Sequence, residues 1–584
     1  MDNKTIYEYI KSEETNYQTM PVTIVEGYEW NMFDHVKKST LYKNSQYETG
    51  KTDDKPFFNI MRPILNVAYR TEGFDVKDIE LYVNSDKDYY KSFLARKYHF
   101  KWALKNKMDT FIDTLVESYV DYGGVIVKKT KENVPEVVPL QRLAFVDQTD
   151  ILSGAICEKH QFSVSDLKDM SGNWDAEAID EAIEDAKMSK LNSQANNLEN
   201  KTPSKYIEVY ELHGVFPESW LYEDGDEDAY CRQSHFIILN QRDESGKTGV
   251  TLFKGKEKET PYKVELRDKI YGRALGFGGI EELFEAQIWT NYSAIQIKEM
   301  LDVASNMLLQ TSDEALAGRN NLNDLEKGEI LFLEDGKTIS PVNTQPINLQ
   351  LFDNHITRWE NLARTTGSAN EAVLGESPNS GTPFALQSLV TTEGKSLHEY
   401  RQGKIASFVE EIYREWVLEA LVKEINKGHK WVEDLSLEEL NLLVDSVVVN
   451  ELNEKIKDLM LNKDRIITEE EQVAYKELVK EQFMGKQTKF IEIIQDEIKG
   501  IPVDVSINIK GKQKNLAQRV DKLTNVFRQV ISNPQVLQIP AMAKLFNQII
   551  EASGLSPLDF SGVSKMQLPT SEAPVPTDIP VATA

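Results

Sequence analysis

Ser245-Gly246-Lys247-Thr248-Gly249 carries the Gly-Lys-Thr of a phosphate-cradling loop and follows the apolar run SHFIILNQ. The full loop needs an earlier glycine where Gln241 stands, and a helix N-terminus where VTLF reads as a strand. The segment is therefore expected to be a hairpin turn, with no nucleotide-driven motor in this chain. Gly375-Glu376-Ser377-Pro378-Asn379 approaches a nucleophile elbow, but Asn379 replaces its last glycine, proline follows the serine and no strand precedes it. In Asp224-Gly225-Asp226-Glu227-Asp228 carboxylates alternate as in calcium loops, yet Ala229 holds the sharp-turn position and His235 the bidentate one. That stretch reads as a solvated loop. The eight histidines, at 35, 99, 160, 213, 235, 355, 398 and 429, form no His-Glu-x-x-His spacing, and each reads as structural. Cys157 and Cys231 lack zinc spacing and read as buried free thiols. No catalytic residue, metal site or cofactor is expected.

The whole-chain composition points the same way. A net charge of −27 is the opposite of the Lys/Arg surface that grips duplex DNA through its phosphates. At 584 residues with 40% hydrophobic content, the chain is long enough for roughly four sub-regions. Its first residues, MDNKTIYEYIKSEE, are charged, and no run approaches the roughly 18 apolar residues of a membrane span. A cytosolic product, neither secreted nor membrane-inserted, is expected.

Positioning elements follow from hydrophobic period. Residues 1–270 read as mixed α and β: helices near Phe57–Tyr69 and Asp88–Tyr119, then strands in GGVIVKKT, EVVPLQRLAFV, SGAICEKHQF, KYIEVYELHGVF and SHFIILNQ. Trp174–Lys190 reads as an acidic helix before a polar excursion. Residues 280–310 predict a rod of roughly 46 Å, and from Ala274 to Gly318 there are seven acids and one base, Lys298. EILFL and KTISPV flank Asp335-Gly336, a hairpin signature. Leu349, Phe352, Ile356, Trp359 and Leu362/Ala363 then mark one buried face of a helix ending at Gly367. Ala369–Gln387 is a shaped Ser/Gly/Pro loop with no basic residue between Arg364 and Lys395. A long helix follows through Leu421, with Gly394 and Gly403 as candidate breaks. Val503–Lys510 alternates as a strand, helices are expected near Leu516–Val530 and Ala541–Glu551, and the Pro/Thr/Ala-rich tail beyond Ser561 is expected to be disordered.

The sequence of helix, hairpin, helix, a loop of the form S-x-x-S-G-x-x-x-A (Ser377 to Ala385) and long helix resembles the portal proteins of tailed bacteriophages. The resemblance implies an α+β portal fold: a mixed α/β wing (1–278 and 384–510), a two-helix stem (279–310 and 349–368), a small β-containing clip (311–348), a tunnel loop (369–383), a helical crown (511–560) and a tail (561–584). It implies a homododecameric ring at the unique capsid vertex of the virion, made in the host cytoplasm, through which DNA is packaged and ejected. The implied partners are other copies of the chain, weakly contacted double-stranded DNA, terminase, the major capsid and scaffold proteins, and head-completion or tail adaptor proteins. No membrane partner is implied.

In that arrangement Glu376, Ser377, Pro378, Asn379, Ser380, Gly381 and Thr382 would face the duplex. Asn320, Asn321, Glu334, Asp335 and Lys337 would sit on the docking clip, and Glu285, Lys298, Glu299 and Asp302 would line the channel. Bands of acid around such a channel would repel phosphate and keep the DNA mobile. Two other readings share these features: a virion structural or scaffold protein without a channel, and a DNA-processing enzyme, which would need a metal or nucleotide site.

Overall fold

The computed structural model describes residues 3–48, 55–83, 98–184, 206–222, 225–226, 228–239, 249–305, 309–311, 339–341, 349–369, 396–425, scattered positions between 448 and 459, 468–485 and 503–507. The chain divides into two units. The first comprises Met1–Gly73, Thr110–Lys131 and Pro135–Ile405, and the second Phe74–Asp109, Glu132–Val134 and Ala406–Ala584.

The elements in chain order begin with α1 (Asn3–Thr19), β1 (Val22–Val25), β2 (Tyr28–Trp30), α2 (Met32–Lys43), α3 (Met61–Glu72) and β3 (Ile79–Val83). Then come α4 (Met108–Tyr122), β4 (Gly124–Lys129), β5 (Pro135–Val138), β6 (Leu143–Phe145), β7 (Ile156–Phe162) and α5 (Val164–Asp169). These are followed by β8 (Ile207–Pro217), α6 (Glu218–Leu221), β9 (Tyr230–Leu239), β10 (Thr251–Lys256) and β11 (Tyr262–Leu266). The rest are α7 (Gly279–Ser305), β12 (Leu309–Thr311), β13 (Ile339–Pro341), α8 (Leu349–Thr366), α9 (Ser396–Ile412), α10 (Leu418–Ile425), α11 (Glu469–Gly485) and β14 (Val503–Ile507). The fold is α+β.

The first unit is built on an antiparallel five-stranded sheet, β10-β9-β8-β7-β6, beside a three-stranded sheet, β11-β4-β5. Alternation sends Tyr210 and Leu212 of β8, and Phe236 and Ile238 of β9, into a core shared with Ile6, Tyr7, Ile10 and Tyr17 of α1. Ile207, Val209, Ile237 and Leu239 point the other way, against Leu167, Ile179 and Ile183. Cys157 and Cys231 are both buried thiols.

Glycine at 123 is required by two constraints. Its φ is +76°, and a Cβ there would lie 2.5 Å from the Gly276 carbonyl oxygen. The same residue's carbonyl accepts from the Arg267 and Gly276 amides, so this junction of α4 with β4 is a backbone-on-backbone contact. Gly123→Ala is expected to cost on the order of 3 kcal/mol, from the left-handed backbone and from overpacking. Denaturant unfolding would measure it as a lower midpoint with an unchanged slope.

Several sequence expectations need correction. EVVPLQRLAFV is two strands in different sheets, because Pro139 has no N–H to donate and a 3-10 turn, Leu140–Arg142, follows it. The helix expected over 88–119 is interrupted at Lys107, whose φ is +53°, leaving helical residues 98–105 and then α4. The helix expected from Phe57 starts at Met61. Gly403 does not break α9. The irregularity instead is a π-helical turn at Tyr413–Val417, in the second unit, where the Tyr413 hydroxyl lies 3.0 Å from His99 Nε2. In that unit β14 pairs antiparallel with β3. As expected, the segment after Gly249 is a strand, β10, antiparallel to β9.

Candidate functional site: the paired long helices

Helix α7 has its faces reversed relative to an ordinary surface helix. Among its described side chains, the buried ones beyond Ile280, Leu283 and Ala286 are polar: Gln287, Thr290, Asn291 and Ser293. Two of them serve the extended segment before α3. Gln287 Oε1 accepts from the Ile60 amide and its Nε2 donates to the Phe58 carbonyl, while Asn291 Oδ1 accepts from the Phe58 amide. A segment with no strand partner there finds its hydrogen bonds on a helix flank, which is why those helix positions are amides. Outward lie Ile288, Trp289 (45% exposed), Tyr292 (52%) and Leu301.

Helix α8 packs along α7 through a directional relay. Trp359 Nε1 donates to His355 Nε2 at 3.1 Å, which makes Nε2 the acceptor and Nδ1 the protonated nitrogen of the neutral ring. Nδ1 then donates to Ser293 Oγ at 2.8 Å, and that hydroxyl donates to the Trp289 carbonyl. Trp289 and Trp359 lie parallel, 9° apart, with centroids 6.2 Å apart. Residue 367, just past the end of α8, has to be glycine because a Cβ there would come within 2.4 Å of the Ile64 side chain on α3. The left-handed residue after it is Ser368, at φ +52°.

The apolar stripe predicted as the buried face of α8 is only partly covered. Only Ala363 is buried; Leu349, Phe352, Ile356 and Trp359 are half-buried, and Leu362 is exposed. Leu351, off that stripe, is 65% exposed. Beyond α7 and before α8 the chain pairs β12 with β13. Ile339–Pro341 thus pairs with Leu309–Thr311, whereas the expected Asp335-Gly336 turn lies outside the described residues.

Of the predicted channel residues, Glu285, Glu299 and Asp302 are exposed on α7 and Lys298 is partly exposed, 3.9 Å from Asp302. Two of the seven acids do not belong to an acidic face. Glu281 is paired with buried Arg273 at 2.6 Å, and Glu282 with buried Arg267 at 3.4 Å. The predicted DNA-facing residues Glu376 to Thr382, and the clip residues Asn320, Asn321, Glu334, Asp335 and Lys337, lie outside the described residues.

A second constellation, missed in the sequence, lies on the five-stranded sheet. The registers Glu158↔Glu211 and His213↔His235 bring carboxylates and imidazoles onto one face, where His160 joins them. Glu158 opposite Glu211 would be repulsive alone. Lys128 of β4 reaches between them, 3.0 Å from Glu158 and 2.5 Å from Glu211, and the Tyr262 hydroxyl donates to Glu158. Burial by itself would raise the Glu211 carboxyl. Hydrogen bonds from His160 and His213 and the Lys128 charge outweigh it and hold that carboxyl well below the usual carboxylate range. Sequence spacing could not reveal this group, because its residues come from five strands.

No family model and no curated protein matches the chain. Among solved structures it is similar to a chain from the neck of an empty GTA particle computed with C6 symmetry, at 8% identity and a TM-score of 0.35, covering 74% of this chain and 98% of that one. A chain from the virion of a native gene transfer agent particle gives 9% identity and a TM-score of 0.31, covering 75% and 98%. Both scores fall below the level at which a shared fold is inferred. Among the described residues, no helix is long and apolar enough to cross a membrane.

Proposed function

We propose that this chain is a portal-type protein of a tailed bacteriophage: a non-enzymatic subunit of a ring through which double-stranded DNA passes. The observation that carries this reading is the outward apolar face of α7 and α8. A helix that buries amides and presents Trp289 and Tyr292, beside one whose stripe buries only Ala363, has an apolar surface in need of a cover. A second copy of the same chain supplies that cover repeatedly if the contact is heterologous and closes into a ring. The order α7, β12, β13, α8 follows the expected stem, clip, stem. In this reading Glu285, Glu299 and Asp302 contribute negative charge near the DNA path, Glu376 to Thr382 skim the duplex, and the segment between α7 and α8 docks terminase and later the head-completion or tail proteins.

Electron microscopy of the purified chain, viewed end-on, tests the proposal. Rings with a central hole wide enough for duplex DNA are the expected result. Closed particles without a hole would favour a scaffold or other virion structural role. Monomers alone across a range of salt and concentration, also when mixed with capsid and scaffold proteins, would overturn the ring.

A further inference from the structure

The polar constellation on the five-stranded sheet has the donor set and spacing of a cation site. Glu211 and His213 alternate along β8, and His213 is the direct cross-strand partner of His235 on β9, so all three side chains leave one sheet face. Glu211 Oε1 lies 3.0 Å from His213 Nε2 and 3.1 Å from His235 Nε2. Donors at about 2.0–2.1 Å from one tetrahedral ion stand roughly 3.3 Å from each other. Both distances from Glu211 Oε1 are thus near ligand spacing, and all three donor atoms lie within 4.8 Å of one another.

The surroundings match a ligand shell as well. Both rings turn Nδ1 toward Glu257, at 3.1 Å from His213 and 3.5 Å from His235. An outer carboxylate on one ring nitrogen is what orients an imidazole to offer the other to a metal. Glu211 Oε2 is occupied by Lys128 and His160, which leaves Oε1 turned to the two rings. His235 Nε2 is buried and, although close to Oε1, is not aligned for a hydrogen bond with it. That is the unpartnered atom an ion would satisfy.

We propose that Glu211, His213 and His235 bind a divalent transition-metal ion, zinc above others, which cross-links β8 to β9. Two nitrogen donors select against magnesium and calcium, which take oxygen ligands. The rings are stacked, with centroids 4.1 Å apart and planes 19° apart, so capture turns the His235 ring, the one whose Nε2 has no hydrogen bond to lose. Glu257 and His160 are partly exposed and form the entry side.

The test uses the untagged full-length chain. Zn2+ is titrated by calorimetry and thermal unfolding, and Co2+ is substituted to read the ligand field by visible absorption. The expected result is a single ion per chain, a Tm that rises with ion concentration and the visible bands of tetrahedral cobalt. Glu257→Gln should weaken binding about 10- to 100-fold, and His235→Ala should abolish the cobalt bands, with circular dichroism verifying that both variants fold. No stoichiometric Zn2+ binding, unchanged affinity in His235→Ala, or an equal response to Mg2+ would each overturn the site.

Discussion

Glu72→Gln is expected to destabilise the first unit by about 3–5 kcal/mol, the cost of removing one partner from a buried ionic network. Glu72 is fully buried. Its carboxylate receives Arg267 at 2.9 Å and His398 at 2.9 Å, with the Arg401 guanidinium at 3.9 Å. Burial alone would raise its pKa, but the His398 hydrogen bond and the Arg267 charge hold it below the usual value. A folded-state pKa below the unfolded one contributes stability that is present above the unfolded value and is lost as pH falls through the folded value. Wild-type stability should therefore fall as pH drops below about 4.5, and the variant should show a shallower decline over the same window. The exposed pair Lys38–Glu48, 3.7 Å apart, is the control. Solvent screens it, so Lys38→Ala should cost less than about 1 kcal/mol. Urea unfolding of the three proteins between acid and neutral pH would measure both effects, and equal losses at the two sites would show that the buried network does not hold the unit together.

How far the sequence reached depended on the distance over which each feature is determined. Helix α8 and its stop at Gly367 were legible because a 3.6-residue period and a chain break are local. Strands β4, β7, β8 and β9 were legible as β-branched and aromatic runs between turns. Pairing was not legible: nothing local joins Ile339–Pro341 to Leu309–Thr311. The period of α8 also misled about burial. It correctly marked which residues share a face but could not say whether this chain covers that face. The positive φ of Lys107 has no sequence signal comparable to a glycine, so the break before α4 was missed. The histidine and glutamate constellation was invisible for the same reason as the pairing, since His160, His213 and His235 meet only through sheet register.

Trp289→Lys combined with Tyr292→Lys is expected to convert assembled rings to monomers while the monomer stays folded. The two side chains are 45% and 52% exposed in the single chain, and they contact each other edge to face. If a second copy covers them, each loses its remaining exposure at every interface of the ring. Truncating a central aromatic anchor costs about 2 kcal/mol or more per interface, and a lysine adds the cost of burying a charge. Monomer stability should change less, because Tyr292 faces outward and half-exposed Trp289 loses only ring contacts, with Trp359, His355 and Tyr292. Overall charge cannot explain a loss of assembly, since added lysines reduce the net charge of −27 and weaken repulsion between copies. Tyr271→Lys, at a position 90% exposed and off the helix pair, adds a single lysine charge away from the proposed interface and should leave rings intact. Sedimentation velocity, with circular dichroism as the check on folding, separates the outcomes. Dissociation in the double variant but not in Tyr271→Lys would support α7 as the ring interface. A double variant that sediments with the wild type would remove this face from the assembly, and with it the observation on which the portal reading rests.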